Sequence, residues 1–166
     1  MDSKPDLDIF RDTPVRYLGY ANEIGESFRS MISQVAVRAT YGVSFGYVFM
    51  DVIDKGKKTF VKEKKLSESG VEKESPVIKT AKIATDCLVW QSFASVIIPG
   101  FTINRICKLS SFILQKNGAA LRTNKILSTI IGLGSIPLII HPIDHACHKV
   151  MDKTIRPMIG LETHIK

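Results

Sequence analysis

Cysteine is scarce in this 166-residue chain, and Cys87, Cys107 and Cys147 are odd in number with no Cys-x-x-Cys pair among them. That spacing excludes a disulfide framework and a four-thiolate zinc centre, and leaves the three as small buried hydrophobes. The first twelve residues lack an apolar core and carry Asp2, Asp6, Asp8 and Asp12 instead, so neither a secretory signal nor an Arg-rich, acid-poor presequence is expected. A phosphate loop is missing as well. Asp54-Lys55-Gly56-Lys57-Lys58 contains Gly-Lys, but Asp51 stands where the first glycine belongs and Thr59 is displaced by one. No Ser/His/Asp order, paired carboxylates or dinucleotide glycine pattern occurs, so no catalytic or cofactor-binding residue is assigned and an enzyme is not expected. The net charge of +7 is not interleaved with stacking aromatics, which argues against nucleic acid and for nearby anionic lipid headgroups.

Long apolar runs are what the chain does have. Residues 87–104 and 126–143 are each free of charge over eighteen positions, the length at which a membrane span is the first reading. Ten residues of 126–143 are Leu or Ile, each contributing roughly −0.3 to −0.6 kcal/mol of insertion free energy. A third run, 30–50, is interrupted only by Arg38, whose cost of about 2.5 to 3.5 kcal/mol its apolar neighbours offset. The expectation is an all-α fold: a small multi-pass membrane bundle of three or four segments, forming one domain over 1–166, preceded by an amphipathic helix.

That amphipathic helix is placed at 13–29, opened by Thr13 as N-cap and Pro14 at the first helical position. Val15, Leu18, Ala21, Asn22, Gly25 and Phe28 fall at helical spacing, with Arg16, Glu23 and Glu26 elsewhere around it, and the helix is expected to lie on a membrane surface or cap the bundle. In 30–50, Gly42 and Gly46 form a Gly-x-x-x-Gly pair that permits close helix packing. Arg38 is an intramembrane charge that either snorkels or meets Asp86. Residues 54–82, with nine Lys and five acids, are expected to be a solvated, mobile basic hinge. Pro99 and Gly100 are expected to break the second span, and Pro137 with Pro142 to kink the last into a helix shaped to pack against the Pro99-Gly100 break. A short or re-entrant segment at 106–121 would put the basic stretches 54–82 and 105–125 on one side, leaving three spans and four both open. Trp90 and Tyr47 are expected as interface anchors. The cluster His141, Asp144, His145, Cys147 and His148 is the densest set of ligand-type side chains, but Pro142 disfavours helical geometry at His141, and a membrane-exit segment is preferred to a metal site.

Several stretches together carry a resemblance. They are Arg11-Asp12-Thr13; Val15-Arg16-Tyr17-Leu18-Gly19-Tyr20-Ala21-Asn22-Glu23 with Gly25-Glu26 and Phe28-Arg29; and Ile53-Asp54-Lys55-Gly56-Lys57-Lys58. Val89-Trp90-Gln91, Ala94-Ser95-Val96, Ile98-Pro99-Gly100-Phe101-Thr102-Ile103-Asn104-Arg105 and His141-Pro142-Ile143-Asp144 complete the set. Across most of its length the chain resembles the mitochondrial fission process protein 1 family. The resemblance implies a multi-pass inner mitochondrial membrane protein without catalytic activity that promotes division, maintains mitochondrial morphology and bears on cell viability and apoptosis. It implies other inner-membrane proteins or a second copy as partners, with the dynamin-related fission machinery only indirect. Residues 59–79 and the tail after His145 depart from the family pattern. A rival of another class is a small carrier or channel using Arg38 and the proline-broken helices.

Overall fold

A computed structural model describes residues 10, 13–70 and 74–161; the acidic positions 2, 6, 8 and 12, Arg11 and the centre of the basic stretch at 71–73 lie outside these. Every element among the described residues is helical. Thr13 caps the first of them, its Oγ1 accepting from the Val15 N–H at 3.3 Å, and Pro14 follows at N1. The turn it opens is a 3-10 helix, Pro14–Tyr20, continued by α1, Ala21–Ser27. Ser33 then caps α2, Gln34–Glu68. The chain returns as α3, Pro76–Gln91, a π-helical segment Ser92–Ile97, and α4, Ile98–Lys116. Gly118, at φ +78°, turns it into α5, Leu121–Lys153, and a short α6, Ile155–Ile159, ends the described chain.

The polar stretch 54–82 is thus the second half of α2, a turn and the start of α3, not a loose joint. Its charges support helix, since Asp51–Lys55 and Asp54–Lys58 pair at i,i+4 and Lys79 reaches across to Glu63 at 2.9 Å. Residues 106–116 continue α4, so no separate re-entrant segment forms there. Pro99 does not break its helix either. A proline ring crowds the carbonyl four residues back and offers no N–H; widening of the preceding turn, in which the Ile98 N–H bonds Phe93 O, absorbs the misfit. Pro137 and Pro142 both lie within the continuous α5, so His141 is helical despite the proline after it.

Two antiparallel hairpins, α2 with α3 and α4 with α5, enclose the short α1, which touches α2, α4 and α5. Its approach to them is close. A Cβ on Gly25 would collide with Thr40, and one on Gly132 of α5 would stand 2.5 Å from Cys107 Sγ and 2.9 Å from Ser27 Oγ. Asn22 ties α1 to α2 and the π segment, its N–H donating to Ser44 Oγ at 3.0 Å, its Oδ1 accepting from that hydroxyl at 2.9 Å and its Nδ2 donating to Val96 O at 2.9 Å. The 13–29 segment therefore neither lies on a surface nor turns an apolar face inward. Its buried residues are Gly19, Asn22, Glu23, Gly25, Glu26 and Ser27, whereas Tyr17, Leu18 and Ile24 are exposed.

The same inversion holds for the whole bundle. Among the described residues thirteen polar or charged side chains are buried against eight apolar ones, the reverse of the partition that water imposes. Two helical stretches are long and apolar enough to cross a membrane, Pro76–Lys116 and Leu121–Lys153, and only 33% and 17% of their most apolar windows are buried. A core helix of a water-soluble protein would hide such a window. α2, which holds residues 34–50 of the run 30–50, is not a third such helix among the described residues.

Candidate functional site

Glu23, Asp51 and Gln91, three of the thirteen buried polar or charged side chains, line a cavity of about 440 Å³ between the 3-10 helix, α1, α2, the end of α3, the π segment and α5. Each wall has a local cause. Gly19 leaves room for the Tyr47 ring, which a Cβ would meet at 3.1 Å. Tyr47 donates to Phe10 O at 2.7 Å and meets the Phe10 ring edge-on at 5.7 Å. One turn beyond Tyr47 on the same face stands Asp51, 1% exposed, which accepts from Lys55 on its own helix and from Gln91 Nε2 of α3. Trp90 stacks on His148 of α5 with ring centroids 4.8 Å apart. The wide turn at 92–97 contributes Ala94 and Ser95 to the wall, a placement typical of π segments beside functional sites.

Two glutamates of α1, one turn apart, are held very differently. Glu26 accepts from Arg29 Nε at 2.6 Å and Nη2 at 2.5 Å, from Tyr41 Oη at 2.9 Å and from Asn104 Nδ2 at 2.7 Å. Burial alone would raise its carboxyl, but these donors and the Arg29 charge outweigh it and hold Glu26 below the usual carboxylate range. Glu23 is fully buried, and neither carboxylate oxygen has a hydrogen-bond partner. Burial pushes it up to about 8. Also buried without a partner are Asp51 Oδ1, Gln91 Oε1 and the Trp90 indole N–H. Five further atoms, on Asp54, Glu63, Thr80, Asn124 and Asp152, are buried in the same way outside the cavity, the three carboxylates among them within ion pairs.

Beyond the cavity, Arg156 of α6 locks the end of the bundle, donating to Asp86 at 2.9 and 3.1 Å and to Asp152 at 2.7 Å, with His148 Nδ1 3.2 Å from its Nη2. Asp86 thus pairs with Arg156, and Arg38 is an exposed side chain of α2. Gly42 and Gly46 face open space, with nothing within 4 Å of a built Cβ. Pro99 and Gly100 are buried, and a Gly100 Cβ would stand 2.5 Å from Tyr41 Oη and 3.0 Å from Asn22 Nδ2. Pro137 is exposed and does not pack on them. His141 and His145 are exposed, Cys147 is buried, and no three His, Cys, Asp or Glu side chains among the described residues are placed to hold a metal ion. Trp90 and Tyr47, expected at the membrane interface, both line the cavity. Glu23 and Asp51 were missed as site residues. Their signal was in plain view: Gly19, Asn22, Glu23 and Glu26 recur at helical spacing as a polar stripe, and Asp51 closes the first apolar run.

The mitochondrial 18 kDa protein family model matches residues 9–151. Mitochondrial fission process protein 1 of Caenorhabditis elegans is 50% identical over 158 residues, covering 94% of this chain and 91% of that protein. The Homo sapiens protein of the same name is 46% identical over 160 residues (92% and 90%), and that of Danio rerio 43% over 157 residues (94% and 90%). No solved structure matches the chain.

Proposed function

This chain belongs to the mitochondrial 18 kDa protein family, and from that premise we propose that it is a non-enzymatic, multi-pass protein of the inner mitochondrial membrane that promotes mitochondrial division. The observation that carries the reading is identity of 43–50% over nearly the full length of relatives named for mitochondrial fission. The inverted bundle supports the membrane part, because apolar residues outward and polar residues inward suit hydrocarbon surroundings. By setting the balance of division it maintains mitochondrial morphology and bears on cell viability and apoptosis.

Its action is architectural: the bundle alters packing in the inner membrane and engages other inner-membrane proteins or a second copy, while dynamin-related machinery outside is reached only indirectly. The exposed Gly42–Gly46 face leaves a close approach open to such a partner. Deleting 13–29 is not a clean test, since that segment is the wedge of the bundle. Re-expression in cells lacking their own relative is the better one. An elongated mitochondrial network is expected to shorten towards normal, and an unchanged network, with the protein verified in the membrane pellet, overturns the proposal. The rival carrier or channel loses its first grounds, as Arg38 is exposed and the prolines sit in continuous helices. It keeps one observation, the polar cavity.

A further inference from the structure

We propose that the cavity between the 3-10 helix, α1, α2 and α5 is a binding site for a small organic cation with several N–H donors, of the primary alkylammonium or diamine class. The unmet polar groups fix the sign. Among the residues that line the cavity, three acceptor groups are buried without partners, the Glu23 carboxylate, Asp51 Oδ1 and Gln91 Oε1, against one donor, the Trp90 indole N–H. A ligand that satisfies them brings N–H groups and positive charge. The walls fix the rest: Tyr20, Tyr47 and Trp90 supply aromatic faces for a cation and its methylenes. The volume, about 440 Å³, is that of a small-molecule site.

Besides Glu23 and the tyrosines the cavity is lined by the charged or titratable groups Arg16, Asp51, Asp144 and His148, and Tyr41 of α2 feels the Glu23 charge. Arg16 lies on the 3-10 helix, exposed, with its guanidinium over the Tyr17 ring at 5.7 Å. Asp51 and its partner Lys55 lie on α2, and Asp144 and His148 on α5, the latter stacked on Trp90 and within reach of Arg156. None of them hydrogen-bonds the Glu23 carboxylate. A bare metal ion fits less well, because no three carboxylate, imidazole or thiol groups among the described residues converge. Occupation by a cation draws a proton from Glu23, whose carboxyl is raised to about 8 by burial, so affinity is expected to weaken about tenfold per pH unit below that value and to level off above it.

Trp90 is the only tryptophan of the chain and serves as the reporter. The full chain in nanodiscs is titrated with 1,4-diaminobutane at pH 6, 7, 8 and 9, with tetramethylammonium, which has no N–H, and calcium as comparisons. A saturable fluorescence change with diaminobutane alone, at least tenfold weaker in Glu23→Gln and pH-dependent below 8, is expected. No saturable change, an equal response to tetramethylammonium or calcium, or unchanged affinity in a folded Glu23→Gln protein overturns the assignment. Should Glu23→Gln not fold, affinity in the unaltered protein that is flat from pH 6 to 8 overturns it equally. The site stands whether or not the protein acts in division, and these readouts do not depend on that role.

Discussion

Glu26 and Glu23 differ by a supply of donors, and that difference sets how stability responds to pH. At pH below the ordinary value of 4.5, Glu23 is protonated whether the chain is folded or not. As pH rises towards about 8 the unfolded chain releases the proton and the folded one keeps it, so stability falls through this window and levels off above it. Thermal midpoints in detergent are expected to drop between pH 5 and pH 8, and the Glu23→Gln protein to show a flatter profile; an equal slope in both contradicts the assignment. Glycines give a paired test. Gly25→Ala drives a methyl into Thr40 and is expected to cost about 1–3 kcal/mol. Gly42→Ala, in open space within a helix, is expected to gain about 0.5–1 kcal/mol. A loss at Gly42 instead, growing with protein concentration, would mark that face as a contact between copies. Asn22, Glu23 and Glu26 stand at helical spacing in the sequence, but the rule that assigns polar residues to the outside turns that stripe the wrong way. That rule presumes water around the molecule, and among the described residues here thirteen buried side chains are polar or charged against eight apolar.

Elements were more legible than their faces. Thr13 and Pro14 marked a helix start that the structure keeps, the run 126–143 lies within α5, and the run 30–50 is helical from Gln34 onward. Breaks were over-read. Proline signals a lost backbone hydrogen bond, but whether a helix stops or widens depends on neighbours that sequence spacing does not display, and the turn before Pro99 widened. The stretch 54–82 was discounted as helix because it lacks an apolar stripe, although its i,i+4 acid–lysine pairs spoke for one. That second half of α2 presents Lys57, Lys62 and Lys65 on an exposed, basic side. Replacing these three by Gln is expected to weaken adhesion to anionic vesicles by about 1 kcal/mol per charge, roughly a hundredfold in all at low salt, and to have little effect at high salt. Co-sedimentation with vesicles of graded anionic content measures it; equal binding of the variant would remove lipid headgroups as the partner of this face.

At the scale of the molecule, fold class was readable from run length and composition, while the cavity was not, since its walls come from segments as distant as Arg16 and His148. An apolar exterior predicts that alkaline carbonate leaves the protein in the membrane pellet; release into the supernatant would mean that another protein covers that exterior in place of lipid. The keystone position of α1 has a consequence for timing. Although α1 leads the chain, its polar side is matched by Ser44, Tyr41, Asn104 and the backbone at Val96, and its close fit needs Gly132. The first helix made can therefore complete its contacts only once the chain through Gly132 is in place, so the molecule is completed from its beginning last.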